Sequence, residues 1–148
     1  MQAIIGFVTF GMILGLQGAP SEEPRAATIV NSGSTNRAGF RIVIDRSGIA
    51  EYTAATRRRP IQQGQTEPIR MTVPHALTDR FFADLKAANP LASLPESHCM
   101  KSVSFGSTVI VEFGGDQTPD LSCGDGGNAL VGNLIRDVND IVALFQSK

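Results

Sequence analysis

The stretch 38–52, AGFRIVIDRSGIAEY, decides the fold because its large apolar residues recur at every second position. Phe40, Ile42 and Ile44 point to one side of an extended chain, and the residues between them point to the other side. This alternation predicts a β-strand with one face buried in a core and one face nearer to solvent.

The segment at the centre of this stretch, Asp45-Arg46-Ser47-Gly48, has the composition of a tight turn. A three-residue loop that ends at Gly48 pairs Ile42 with Tyr52 and keeps the apolar side chains of both strands on one face. A two-residue loop would instead pair Ile42 with Glu51 and place a carboxylate on the apolar face. The sequence therefore predicts a bulged hairpin.

Further strands are predicted on both sides of this hairpin. Apolar or alternating runs place them at residues 28–30, 67–73 and 103–113. In the last of these strands, the pattern puts Val103, Phe105 and Val109 on the buried face.

A second hairpin is predicted at Gly114-Gly115-Asp116, which ends the strand 103–113. With a three-residue loop, Val111 faces Pro119 and Ser107 faces Cys123. The second strand of this hairpin is thus expected to end at Cys123.

Two apolar stripes with helical spacing predict two helices. The first helix begins after Pro74 and ends at Asn89-Pro90, because proline cannot continue a helix. The second begins at Asn128, which is suited to cap the first turn, and ends near Gln146. The predicted fold class is α+β: a two-layer antiparallel β-sheet with both helices packed on one face, in the order ββββα-ββα, within a single domain of residues 28–148.

The N-terminal segment has the features of an export signal. No charged side chain occurs before Glu22, and Ile4–Leu16 is an almost unbroken apolar run. Such a run is typical of a signal-peptide core and is shorter than the roughly 20 residues that a spanning helix needs. The sequence predicts a signal peptide at residues 1–19 and a flexible linker at residues 20–27. An uncleaved membrane anchor and a buried cytosolic segment are the alternatives.

The composition supports a packed globular domain. Hydrophobic residues make up 42% of the 148 residues and charged residues 18%, a balance that argues against disorder. The formal net charge of -1 argues against nucleic acid as a partner, since nucleic-acid binding needs a basic surface. Two cysteines and two histidines exclude metal clusters built from several such residues, and no cofactor is predicted.

The two cysteines, Cys99 and Cys123, are predicted to form a disulfide. Exported chains enter oxidising surroundings, and the second hairpin brings both positions to one end of its strands. Two free buried thiols, or a pair used in redox chemistry, are the alternatives. His98 is badly placed to activate Cys99, because neighbouring residues of an extended chain point to opposite sides.

No set of acid, base and nucleophile converges in the sequence. Ser102 and Ser104 lie outside any Gly-x-Ser-x-Gly or Ser-x-x-Lys spacing. Asp116, Asp120 and Asp125 lack the alternating oxygen ligands of a calcium loop. The GDGG segment before the second helix lacks the lysine of a phosphate-binding loop.

Two groups of residues are candidates for binding a partner. Ser102, Ser104 and Asp120 are expected to gather on the sheet face away from the helices, where an open face is a natural partner surface. The basic run Arg57-Arg58-Arg59 is suited to an acidic partner or a membrane surface. The alternative for the first group is an ordinary solvent-exposed sheet face, and the alternative for the second is a solvated hairpin tip, neither with a binding role.

Four segments, which together span most of the mature domain, are similar to segments of a protein family: Asn31-Ser-Gly-Ser-Thr, the hairpin 39–52, His98–Gly106 and Pro119–Cys123. In these segments the chain resembles a family of small exported bacterial proteins whose function is unknown. The resemblance implies a secreted or periplasmic domain and transfers no catalytic residue.

The predicted function is that of an exported, non-enzymatic binding module for a protein or a cell-envelope component. The alternative is a small secreted hydrolase or thiol-redox enzyme that uses Ser104, His98 or the cysteines. No nucleic-acid partner is expected. Contact with a membrane is expected only through the N-terminal segment, if that segment is not cleaved.

Overall fold

The computed structural model describes residues 23–55, 67–102 and 104–146. One antiparallel sheet has the strand order β4-β3-β2-β1-β5-β6. Its strands are β1 (Ala26–Asn31), β2 (Phe40–Asp45), β3 (Ile49–Ala54), β4 (Ile69–Thr72), β5 (Val109–Phe113) and β6 (Asp116–Gln117). The helices are α1 (His75–Ala87) and α2 (Ala129–Gln146), with short 3-10 turns η1 (Leu91–Ser93) and η2 (Leu121–Cys123). The predicted α+β fold and its element order are confirmed.

Both helices pack on the same face of the sheet. Their inner residues and one face of the strands form a single apolar core, with these side chains at its centre: Ile29, Ile42, Ile44, Val111, Phe81, Leu85, Leu134 and Ile141. Burying each of these side chains contributes roughly 1.5–3 kcal/mol before conformational entropy is subtracted. The opposite face of the sheet carries no helix among the described residues.

The first hairpin has the predicted register. Ile42 pairs with Tyr52, and Tyr52 stacks between Phe40 and Phe145 with ring centroids 5.4 Å and 5.3 Å away. Gly48 closes the turn at a φ of +86°, in the left-handed region that glycine adopts without strain. A Cβ atom there would lie 2.9 Å from the backbone oxygen of Val73, so the position also needs the missing side chain.

The predicted register of the second hairpin is wrong. Phe113 pairs directly with Asp116, so the loop contains only Gly114 and Gly115, at φ values of +63° and +83°. Two consecutive left-handed residues form the tight turn that matches the twist of antiparallel strands, and two glycines adopt it readily. β6 ends at Gln117, Thr118 still bonds to Val111 through its N–H and its hydroxyl, and no strand continues from there to η2.

The predicted strand 103–113 is wrong in its first half. β5 begins at Val109, whose partner Asn31 is the last residue of β1. Beyond this point β1 has ended, and the loop after it bonds to this segment only at isolated positions such as Ser32 and Thr108, so the regular ladder ends. Phe105, expected on the buried face, is 62% exposed, and Val103 lies outside the described residues.

The domain starts slightly earlier than the sequence predicts. β1 begins at Ala26, and Ala27 is buried, so these two residues belong to the sheet rather than to a linker. The predicted signal peptide at residues 1–19 lies outside the described residues. Within the described part of the chain, neither helix combines the length and the apolarity needed to span a membrane.

Candidate functional site

The segment 99–108, called the tethered loop below, leads into β5 and is described at every position except 103. Its first residue is covalently fixed, because Cys99 and Cys123 form a disulfide with Cα atoms 5.3 Å apart. The predicted pairing of the cysteines is confirmed. Cys123 ends η2, so the bond ties the loop to the segment just before α2.

A partly exposed ion pair fixes the loop a second time. The Lys101 ammonium bonds to Asp120 Oδ2 and also donates to the backbone oxygen of Ser107 at 2.9 Å. Asp120 Oδ1 accepts from the backbone N–H groups of Val109 at 2.9 Å and Ser122 at 3.0 Å. The Lys101–Asp120 contact therefore joins both ends of the loop to the first residue of β5 and to η2.

Asp120 is held in its charged form by these donors. Burial raises the pKa of this carboxyl, but the hydrogen bonds from Lys101, Val109 and Ser122 outweigh burial and lower the pKa from 3.8 to about 2. The carboxylate is thus ionised whenever the pH is above that range. Its acceptor sites are used for holding the loop.

The tip of the loop is a turn bonded to a neighbouring loop. The backbone oxygen of Ser102 accepts from the N–H of Gly106 at 2.6 Å, and the backbone oxygen of Ser104 accepts from the N–H of Asn36 at 3.2 Å. Ser32 and Thr108 exchange two further bonds, at 3.0 Å and 2.9 Å. These bonds join the tethered loop to the segment between β1 and β2.

Two large apolar side chains project from this fixed loop. Met100 is fully exposed, at 104% of its reference area, and Phe105 is 62% exposed. Both line one shallow depression at the surface, together with Ser102 and Gly106. Exposed apolar side chains grouped in this way are typical of interaction sites.

The structure places the predicted binding residues at one end of the sheet. Ser102 and Ser104 lie in the turn of the tethered loop and Asp120 lies at its base, so none of the three is on the open face of a strand. Asp120 and the Ser102 backbone hold the loop rather than line an open surface. The predicted basic run, 57–59, lies outside the described residues.

Sequence reasoning missed Met100 and Phe105 as exposed residues. The expected strand placed Phe105 on the buried face, and Met100 was not assigned a role. A usable signal was present nonetheless: Gly106 interrupts the alternating run, and a disulfide directly before the run limits how far it can join the sheet.

The geometry near the serines does not resemble a catalytic site. Within the described ranges, no hydrogen bond joins His98 to Ser102, Ser104 or Asp120, and the Asp120 carboxylate is paired with Lys101. The same described residues contain no group of three or more histidine, cysteine, aspartate or glutamate side chains placed to bind a metal ion. The arrangement can present a rigid surface, whereas a nucleophile with a base is not assembled.

The open face of the sheet is largely charge-compensated. Arg41 lies 3.7 Å from Glu112 and donates to the Thr28 hydroxyl at 3.3 Å. Arg70 pairs with Glu51 on the outer strands of the same face. Since these cations already have anionic partners, the tethered loop is the stronger candidate for a contact surface.

The comparisons with known proteins do not assign this chain to a family. No protein-family model matches the sequence, and no curated protein matches it.

Proposed function

We propose that the chain is an exported, non-enzymatic binding module that contacts a protein partner through the tethered loop. The observation that carries this proposal is the exposure of Met100 and Phe105 on a loop fixed by a disulfide and by the Lys101–Asp120 ion pair.

The rigidity of the tethered loop favours a role in binding over that of a surface loop without a partner. A loop that is ordered before binding loses little conformational freedom when it meets a partner, so more of the contact energy appears as affinity. The disulfide and the hydrogen bonds of Lys101 and Asn36 provide this ordering in the free protein.

The chemistry of the exposed residues indicates the kind of partner. Large apolar side chains dominate the centres of protein interfaces, where they fill pockets and are shielded from water. The only cation of the loop, Lys101, is engaged by Asp120 and is not free to attract anionic lipid headgroups. A folded protein with an apolar pocket therefore fits this loop better than an anionic membrane surface.

Export is part of the proposal. The apolar N-terminal run is typical of a signal peptide, and the Cys99–Cys123 disulfide is typical of proteins in oxidising compartments. Membership of the family of small exported bacterial proteins, suggested by the sequence resemblance, remains a proposal as well.

The test is affinity capture from periplasmic and culture extracts with the tagged protein and with a Met100→Ser/Phe105→Ser variant. We expect the wild-type protein to retain a defined protein that the double variant fails to retain. A matched control is Ile69→Ser, which removes a residue that is 50% exposed on β4. Equal retention by the double variant, or no retention by the wild-type protein at high load, would contradict the proposal.

A further inference from the structure

The interface between α1 and α2 contains five charged side chains: Arg80 and Asp84 from α1, and Arg136, Asp137 and Asp140 from α2. Asp137 stands out because its side chain is 0% exposed. It occupies the inner stripe of α2 between Leu134 and Ile141, which otherwise carries apolar residues.

One oxygen of Asp137 is well bonded. Asp137 Oδ1 accepts from Arg80 Nε at 2.6 Å and lies 3.5 Å from Arg136 Nε. Arg80 also reaches Asp140 Oδ2 at 2.5 Å, so its guanidinium joins two carboxylates of α2.

The other oxygen of Asp137 has no donor, and the same is true of one oxygen of Asp84. Asp137 Oδ2 and Asp84 Oδ2 are both buried, and neither has a hydrogen-bond donor in the described structure. The two carboxyl groups are neighbours because both lie against the Arg136 guanidinium, 3.6 Å from Asp84 Oδ2 and 3.5 Å from Asp137 Oδ1. Ionised carboxylates are acceptors only, so a hydrogen bond between them requires a proton on one of the two groups.

The charge balance of the cluster leads to the same requirement. Three carboxylates, those of Asp84, Asp137 and Asp140, face two guanidinium groups, those of Arg80 and Arg136. One added proton makes the cluster neutral. A net negative charge beside the fully buried Asp137 is costly, so the neutral state is favoured.

We propose that Asp84 and Asp137 share one proton and that this proton is a pH-sensitive link between α1 and α2. The link is intact in acid and is lost in alkali, where two like charges meet between the helices. This device is independent of the tethered loop and of the proposed binding function.

The pKa of Asp137 is raised, in agreement with the geometry. Burial is the main cause and the nearby Asp84 carboxyl adds to it, while the hydrogen bond from Arg80 acts in the opposite direction. A carboxyl with a raised pKa in the folded state stabilises the protein below its unfolded pKa. That contribution is lost as the pH rises through the folded value.

The test is urea unfolding of the full chain over a range from about pH 5 to about pH 8. We expect the urea midpoint of the wild-type protein to fall as the pH rises. Asp137→Asn and Asp84→Asn each supply an amide donor that replaces the proton, so their midpoints change less with pH and exceed the wild-type midpoint at the alkaline end. Either variant alone suffices if the other fails to fold.

The control is Glu112→Gln, which removes a half-exposed carboxylate on the opposite face of the sheet and keeps the wild-type pH dependence. His75 and Asp79, which pair on the exposed side of α1, are the same in all of these variants. The infrared band of a protonated carboxyl provides a direct second measurement, and we expect Asp84→Asn to remove it. Superimposable midpoints for wild-type and Asp84→Asn proteins, without such a band in the wild type, would overturn the proposal.

Discussion

Lys101 and Asp120 meet at the base of the tethered loop, and their ion pair joins the loop to both β5 and η2. The pair lies next to a disulfide, so a covalent bond and a charged hydrogen bond act on the same short segment. Together they hold Met100 and Phe105 in solvent instead of letting them fold back onto the core.

Replacing Lys101 by Met is expected to loosen the tethered loop while leaving the sheet intact. The substitution leaves Asp120 Oδ2, on a partly exposed side chain, without its donor, which costs about 1 kcal/mol in the free energy of unfolding. Hydrogen exchange of the Gly106 N–H is expected to become faster. The matched control, Arg70→Met, removes the exposed pair with Glu51 and is expected to change stability by less than about 0.5 kcal/mol. Equal effects of the two substitutions would show that the Lys101 pair has no special role.

The lowered pKa of Asp120 predicts that the protein loses stability in acid. Its folded pKa of about 2 lies below the ordinary value of 3.8, so its stabilising contribution is complete above the ordinary value and disappears as the pH falls toward 2. Chemical unfolding of the wild-type and Asp120→Asn proteins tests this directly. We expect the stability difference between them to shrink over that pH window, and a constant difference would contradict the prediction.

Introducing a charge into the α2 stripe is expected to abolish soluble expression. Leu134 and Ile141 are both 0% exposed, and an aspartate at either position would be buried without a partner. Leu130→Asp is the matched control on the same helix, because Leu130 is 37% exposed. Wild-type yields of Leu134→Asp or Ile141→Asp would contradict the two-layer packing.

The disulfide is expected to form in exported protein and to stabilise the domain. The cysteines are 24 residues apart, and closing a loop of this size contributes on the order of 3 kcal/mol by restricting the unfolded chain. Thiol titration under denaturing, non-reducing conditions is expected to find no free thiol. The Cys99→Ser/Cys123→Ser variant is expected to unfold at a lower temperature than the wild-type protein. Two titratable thiols in the wild-type protein would show that the disulfide does not form.

The parts of the fold that the sequence predicted are those with strong local patterns. Ile42 and Ile44 alternate with polar residues, and Gly48 is suited to end the turn. Only one hairpin register then keeps a carboxylate off the apolar face, and the structure has that register. Asn128 caps α2 as predicted, since its side-chain oxygen accepts from the N–H groups of Leu130 and Val131.

The parts that the sequence did not predict depend on partners distant along the chain. The alternating run through Phe105 is compatible with a strand, but β1 ends at Asn31, and the loop after it contacts that run only through isolated hydrogen bonds. The burial of Asp137 depends on Arg80, which lies 57 residues earlier in the chain. Neither fact can be derived from local periodicity.

The candidate site was located in part. Ser102, Ser104 and Asp120 do belong to one region, but Asp120 acts as an anchor, and the exposed groups are Met100 and Phe105. The exposure of those two residues follows from the disulfide and the end of the ladder, which are properties of the assembled fold.

Backbone order of the tethered loop in the free protein tests the central claim most directly. NMR relaxation gives an order parameter for each described N–H of the loop, with values near 0.85 for rigid backbone and below about 0.6 for mobile backbone. We predict that Met100, Phe105 and Gly106 have values close to those of β5. Values in the mobile range, in protein with an intact disulfide, would contradict a preformed binding loop.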